Sequence, residues 1–237
     1  MSQIWAVSLK ELKAYFASPI AYIVTAMFLL ISGYFFTMIL AYSPDTGIMR
    51  YLFGNMSVIL LLICPLFSMR LFAEEQKNKT LELLMTAPIS DAGIVIGKFL
   101  ATALLLLVML LSTAHFPMAL LLLGQPDPWP MLTGYLGIFL MGCAFLVIGM
   151  LTSTWTQNQI IAAVSSFAIS LLLWFLGATG SLVGSDLGAV LTYLSLNTHF
   201  ESFSRGVLNS SDLIYYLSLI GLLLFVTIRS LETRRWR

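Results

Sequence analysis

Few residues of this chain could do chemistry, and their spacing decides most of what they can do. Gly93-Ile-Val-Ile-Gly97-Lys98 has the residue types of a loop that cradles phosphate. Its spacing is wrong for that task, no Ser or Thr follows Lys98, and it opens an apolar helix instead of following a strand. It is not read as an ATP site. His115 lies in an apolar run beside Pro117. A lone imidazole there reads as a hydrogen-bonded packing residue before it reads as a proton relay. No His-Glu-x-x-His occurs, and no Ser/His/Asp or paired-aspartate set suits hydrolysis inside a membrane. Cys64 and Cys143 both sit in apolar runs, where cysteine is packing material, so neither a disulfide nor a metal site is expected. The chain is read as a non-enzyme.

What remains is the charged stretch Glu74–Pro88, EEQKNKTLELLMTAP, with Glu74, Glu75, Lys77, Lys79 and Glu82 in nine residues. Read as one helix, it places Leu81, Leu84 and Met85 on one face. Glu75 stands four residues before Lys79, the favoured order for a helical ion pair. Pro88 ends the helix, and Ser90 or Asp91 can cap the next. Two readings stand: a solvated loop between membrane spans, or a short amphipathic helix that docks on a partner protein.

The surrounding elements are set by composition. Of 237 residues, 59% are hydrophobic and 10% charged, against about 45–50% and about 25% in soluble domains. The expected class is an all-α polytopic membrane protein, one transmembrane domain over 1–237. The net charge of +1 offers no basic field for nucleic acid. Residues 1–18 repeat Trp5, Leu9, Leu12 and Phe16 at helical spacing among Lys10, Glu11 and Lys13, which suits an amphipathic helix in the membrane interface. The following run is too long for a signal-peptide core and is read as a retained span. A span needs about 20 apolar residues. Six stretches qualify, at about 19–41, 52–70, 95–123, 131–152, 159–178 and 213–229. With the N-terminus inside, Lys10, Lys13, Arg70, Lys77, Lys79, Lys98, Arg229, Arg234, Arg235 and Arg237 are cytoplasmic, and Arg50 and Arg205 are outside. Ten against two places both termini and the 71–92 loop in the cytoplasm.

The segment 179–212 precedes the last span. Gly180, Gly184 and Gly188 recur at a spacing that can let helices approach closely, but the intervening Ser181, Ser185 and Asp186 favour a glycine-rich outer bend. Tyr193–Val207 reads as a short, partly re-entrant outer helix, with Glu201 and Arg205 as an i, i+4 pair and Phe200, Phe203 and Val207 as its apolar face. It is an external gate or a surface cap. Hydroxyls at Ser57, Ser165, Ser166 and Ser170 leave open a path along spans two and five.

The chain resembles the ABC type-2 transporter permeases. The resemblance rests on Glu74-Glu75, Thr80-Leu81-Glu82-Leu83-Leu84, Thr86-Ala87-Pro88 and Ile94-Val95-Ile96-Gly97-Lys98-Phe99. Lys79 stands where that family usually has Gly. The arrangement of spans extends the likeness over the whole chain, and His199–Leu208 followed by Asp212 resembles the branch of gliding-motility exporters. The resemblance implies a permease in the bacterial inner membrane that pairs with a second permease, identical or related, and with separate ABC ATPase subunits. An accessory envelope protein is a further partner it allows. ATP and Mg would bind the ATPase, with no cofactor on this chain. Glu74, Glu75, Thr80, Leu81, Glu82, Leu83, Leu84, Met85 and Pro88 would couple to the ATPase, and Phe200, Glu201, Phe203 and Arg205 would form an outer gate. The alternative is a scaffold that passes ATPase work to an envelope machine without moving a solute. An ion-coupled carrier is disfavoured by the lack of carboxylates within the spans.

Overall fold

Apolar runs in lipid must satisfy their own backbone N–H and C=O groups, which leaves the helix as the default spanning form for one segment. The computed structural model describes residues 3–42, 47–81, 89–123, 127–180 and 184–235. Every regular element among them is helical. The order is α1 (Gln3–Ala17), α2 (Pro19–Tyr42), α3 (Ile48–Ser68), α4 (Arg70–Lys77), α5 (Asp91–Leu111), a 3₁₀ turn (Ser112–Ala114), α6 (His115–Leu123), α7 (Pro128–Trp155), α8 (Gln159–Gly180), α9 (Ser185–Tyr193), α10 (Leu196–Ser204) and α11 (Ser210–Arg235). Among the described residues, six helical stretches are long and apolar enough to cross a membrane: Pro19–Tyr42, Ile48–Lys77, Asp91–Leu122, Pro128–Trp155, Gln159–Gly180 and Ser210–Thr233. The protein is an all-α polytopic membrane protein.

Local chemistry sets the helix ends. Ser90 Oγ accepts from Gly93 N and starts α5, while Asp127 accepts from Trp129 N and starts α7 with Pro128 in its first turn. Met69 keeps helical angles, so α3 runs on into α4. The joined stretch has 30 residues, or roughly 45 Å of helix at about 1.5 Å per residue. That exceeds the roughly 30 Å of hydrocarbon, which leaves length enough for the charged α4 to stand outside the apolar slab. His115 sits at the 3₁₀ break, with Nδ1 2.8 Å from Ser112 O and its ring tilted on Phe116. Cys64 and Cys143 are free, buried thiols.

The hub is α7. Of its apolar window 89% is buried, against 22% for α2 and 17% for α8. It touches α3, α4, α5, α8, α10 and α11. The inside carries small and hydroxyl residues, among them Ser68, Thr152, Ser153, Ser166 and Ser170, while Leu30, Ile160, Val164 and Leu172 face outward. Van der Waals contact and hydroxyl bonds replace the hydrophobic effect between such helices. Thus Ser166 and Ser170 face the interior of the subunit.

Two features differ from the sequence expectation. The stretch before the expected outer helix is itself helical, as α9, and the outer helix starts later, at Leu196, where Ser195 accepts from Thr198 N to cap α10. The glycine spacing also serves close approach: a Cβ on Gly180 would lie 2.8 Å from Gly188 O. The end of α7 with Thr133 holds α10, through Thr133 Oγ1 donating to Phe203 O at 2.8 Å. The opposite end of α7 meets α4 and the last turns of α11, where Thr154 and Ser230 hydroxyls lie 2.8 Å apart.

At Gly137 a Cβ would stand 2.5 Å from Phe203 Cβ, whereas Gly221 has open space around it. Gly137→Ala should therefore lower thermal stability in detergent by about 1–3 kcal/mol through overpacking. Gly221→Ala should leave it unchanged or raise it by up to about 1 kcal/mol. Equal melting shifts for the two variants would contradict this packing.

Candidate functional site

The candidate site lies where α1, α4 and α5 meet, at the charged ends of the stretches Ile48–Lys77 and Asp91–Leu122. Gly97 admits α1 here: a Cβ at this position would lie 2.8 Å from Val7 Cβ and 2.9 Å from Ile4 O. The next residue, Lys98, carries an ammonium into the gap, with its side chain 1% exposed. Its Nζ lies 3.0 Å from Glu11 Oε1 on α1 and 2.8 Å from Glu75 Oε1 on α4. The Phe72 ring stands 5.3 Å from the same nitrogen. A buried cation costs several kcal/mol unless it is paired and hydrogen-bonded. Lys98 meets that demand only when all three helices are in place. Lys10, largely exposed, lies 3.8 Å from both carboxylates and adds little.

Two further ties fix the neighbours. Tyr15 Oη donates to Phe67 O at 2.7 Å, joining α1 to the end of α3. Burial, helped by the Glu11 carboxylate, pushes the Tyr15 phenol well above its ordinary range, so it stays a donor. Gln76 Nε2 lies 3.2 Å from both Ser153 O and Thr154 O. These belong to the last turn of α7, whose carbonyls lack partners along their own helix. Through Gln76, α4 is bonded to the hub. Arg70 and Glu74 make a 3.0 Å i, i+4 pair on its outer side. Between α1 and α4 lies a cleft of about 300 Å³, lined by Lys10, Glu11, Tyr15, Arg70, Glu75 and Thr80 among others.

The charged stretch is not one continuous helix. α4 ends at Lys77, and Lys79 takes φ 55. That left-handed conformation favours glycine after a helix C-terminus, and Lys79 stands where glycine is usual in the resembled family. The expected Glu75–Lys79 pair is lost because the reversal at Lys79 destroys the i, i+4 geometry. Glu75 turns to Lys98 instead.

Of the coupling residues named from sequence, Glu74 and Glu75 are in this cluster and Thr80 is exposed beside it, its hydroxyl 3.4 Å from Glu75 O. Leu81 is 6% exposed and packs in the chain's own core. Glu82, Leu83, Leu84, Met85 and Pro88 lie outside the described residues. At the far end, Phe200 and Phe203 are buried, with both rings beside Gly137 of α7. Glu201 and Arg205 form a 2.8 Å pair with both side chains about half exposed. These four are therefore split between two faces. Sequence reasoning missed Glu11, Tyr15 and Gln76. The available signal was Lys98 itself, a cation one turn or two into an apolar helix, which requires a carboxylate from elsewhere.

Lys98→Met should destabilise the protein by about 3 kcal/mol or more, because two partly buried carboxylates lose their cation. Adding Glu11→Gln and Glu75→Gln to it should recover part of the loss. Thermal unfolding in detergent checks both. A single variant as stable as the parent would contradict the buried-pair reading.

No curated protein matches the chain. A family model described as ABC-2 family transporter protein matches residues 9–181. The matched region runs from α1 through α8 and includes Glu11, Glu75, Gly97 and Lys98. With six membrane-length helices among the described residues, the chain belongs to the ABC-2 transporter family, as a permease component of an ABC transporter.

Proposed function

We propose that this permease takes the work of ATP hydrolysis from separate ABC ATPase subunits at the stretch that follows α4, and uses it to export a substrate across the bacterial inner membrane. The observation that carries this reading is the attachment of α4. Glu75 binds it to α5 and α1 through Lys98, and Gln76 binds it to the end of α7. A push delivered beyond Asn78 is thereby passed to several spans as one body, not absorbed by a loop. ATP and Mg bind to the ATPase. The charge bias supports a cytoplasmic position for this end of the bundle and for both termini. With Leu81 turned inward, Leu84 and Met85 are the docking anchors, and Glu82 meets a basic group on the ATPase.

A second permease completes the path. The outward faces of α2 and α8 are large and apolar, with Leu30 73% and Ile160 72% exposed. Lipid can cover such faces, but one subunit has few polar groups with which to wall a path. In this reading α2 and α8 form the contact, and the path lies between the subunits.

Burying one leucine is worth about 1.5–3 kcal/mol, so Leu84→Asp should weaken ATPase binding by about one to two powers of ten or more. The variant is first checked for normal membrane insertion. Pull-down of the ATPase and permease-stimulated ATP hydrolysis then give the answer, and unchanged values for both would sink the docking proposal. Uptake or release of substrate by sealed vesicles with the ATPase present decides whether solute moves at all.

The dimer has its own test. Crosslinking through Leu172→Cys on α8 should yield permease dimers within an active, ATPase-bound complex. Monomer alone in such a complex would remove the two-subunit path.

A further inference from the structure

The α9–α10 segment is held to α11 by a polar cluster that the coupling reading does not use. Tyr215 Oη donates to Leu194 O at 2.7 Å, and Tyr216 Oη to Leu196 O at 2.8 Å. Between them His199 Nδ1 lies 2.6 Å from Asp212 Oδ1, and His199 Nε2 lies 2.8 Å from Tyr193 O. Both side chains are 8% exposed. The imidazole stacks on Tyr215, with ring centres 3.9 Å apart. Next to it is a cavity of about 400 Å³ lined by Thr192, Thr198, Ser202 and Asp212, among others.

The proton count of this cluster follows from its acceptors. Tyr193 O can only accept, and a carboxylate can only accept. A neutral imidazole has one N–H and can satisfy one of them. Both bonds form only if the ring carries two protons, or if Asp212 is protonated and donates to Nδ1. Either arrangement holds one proton more than a neutral imidazole beside a carboxylate. A second observation agrees: Asp212 Oδ2 is buried without a hydrogen-bond partner, so His199 is the cation available to this carboxylate among the described residues. The start of α11 helps to hold negative charge there.

We propose that His199 and Asp212 share this extra proton and that it clasps the α9–α10 segment onto α11, so that the clasp loosens as pH rises. Loss of the proton leaves one of two acceptors, Tyr193 O or Asp212 Oδ1, without its donor. The proton therefore stabilises the closed segment while it is bound, and that stabilisation is lost when it leaves. The other titratable groups on α9, α10 and the start of α11 are Asp186 and Tyr193, Glu201 and Arg205, and Tyr215 and Tyr216. Glu201 and Arg205 are paired to each other in solvent. α8 carries no ionisable side chain, and Tyr135 of α7 is bonded to Thr113.

Hydrogen exchange of the amides of residues 193–204, in the intact permease in nanodiscs and corrected for intrinsic pH dependence, tests this from about pH 5 to about pH 8. Protection in the parent chain should fall by about tenfold or more across the range, the loss of one charge-assisted hydrogen bond. Asp212→Asn should hold its protection throughout, because an amide N–H can donate to Nδ1 while Nε2–H serves Tyr193 O. His199→Gln should be poorly protected at every pH. Constant protection in the parent chain would overturn the proposal. So would a fall in Asp212→Asn parallel to that of the parent.

Discussion

A lysine ammonium with almost no exposure sits at the junction of three helices, and the rest of this structure is arranged to permit it. Moving such a charge from water into a protein interior costs several kcal/mol, and a pair of carboxylates in good geometry offsets that cost. Glu11 and Glu75 come from helices far apart in sequence, so satisfying Lys98 is the same event as docking α1 and α4 on α5. Gly97 sets how closely α1 can come, and Lys98 sets what it must bring. The two adjacent residues thus fix distance and charge together. Removal of one carboxylate leaves the other to share the cation, whereas removal of the cation leaves two carboxylates in apposition.

The membrane sets the second constraint. Lipid gives no hydrophobic reward for bringing helices together, so the bundle relies on close contact and on hydroxyls. That is why α7, the most enclosed helix, carries Gly134, Gly137, Gly142 and Gly149 against Phe53, Phe203, Leu106 and Ser68. It also explains why one helix can serve both ends. Gln76 binds the last turn of α7 on the charged side, and Thr133 binds α10 on the other. A displacement of α4 thus has a direct route to the α9–α10 segment through a single rigid element.

Much of this was legible in the sequence. Apolar runs of about 20 residues marked the spans, because length and hydropathy dominate that choice. Ser90 was readable as a cap because a short side chain before a helix accepts from its first turn. The junction was not readable. Periodicity within Glu74–Pro88 suggested one helix and a local Glu75–Lys79 pair, but a left-handed Lys79 breaks that register, and a distant lysine wins Glu75. Such a competition is settled by burial, which local spacing does not report. Leu81 shows the same limit: its place on an apolar face was visible, but not which protein would cover that face. In the outer segment Gly180, Gly184 and Gly188 with their serines favour a bend by local composition, but Gly180 packs closely on Gly188 and Ser185–Tyr193 forms a helix there, a tertiary outcome that local spacing does not report.

The central claim is that α4 drives the spans through the ion pair at Lys98, and a charge exchange at that pair tests it most directly. Glu75→Lys combined with Lys98→Glu retains one cation among two carboxylates at the junction of α1, α4 and α5. The quantity to measure is ATP hydrolysis by the ABC ATPase as stimulated by membrane-inserted permease. Each single exchange should abolish most of the stimulation, and the double exchange should restore a substantial part of it. Full stimulation in the single variants, or a double variant as inactive as either single one despite normal insertion, would contradict it.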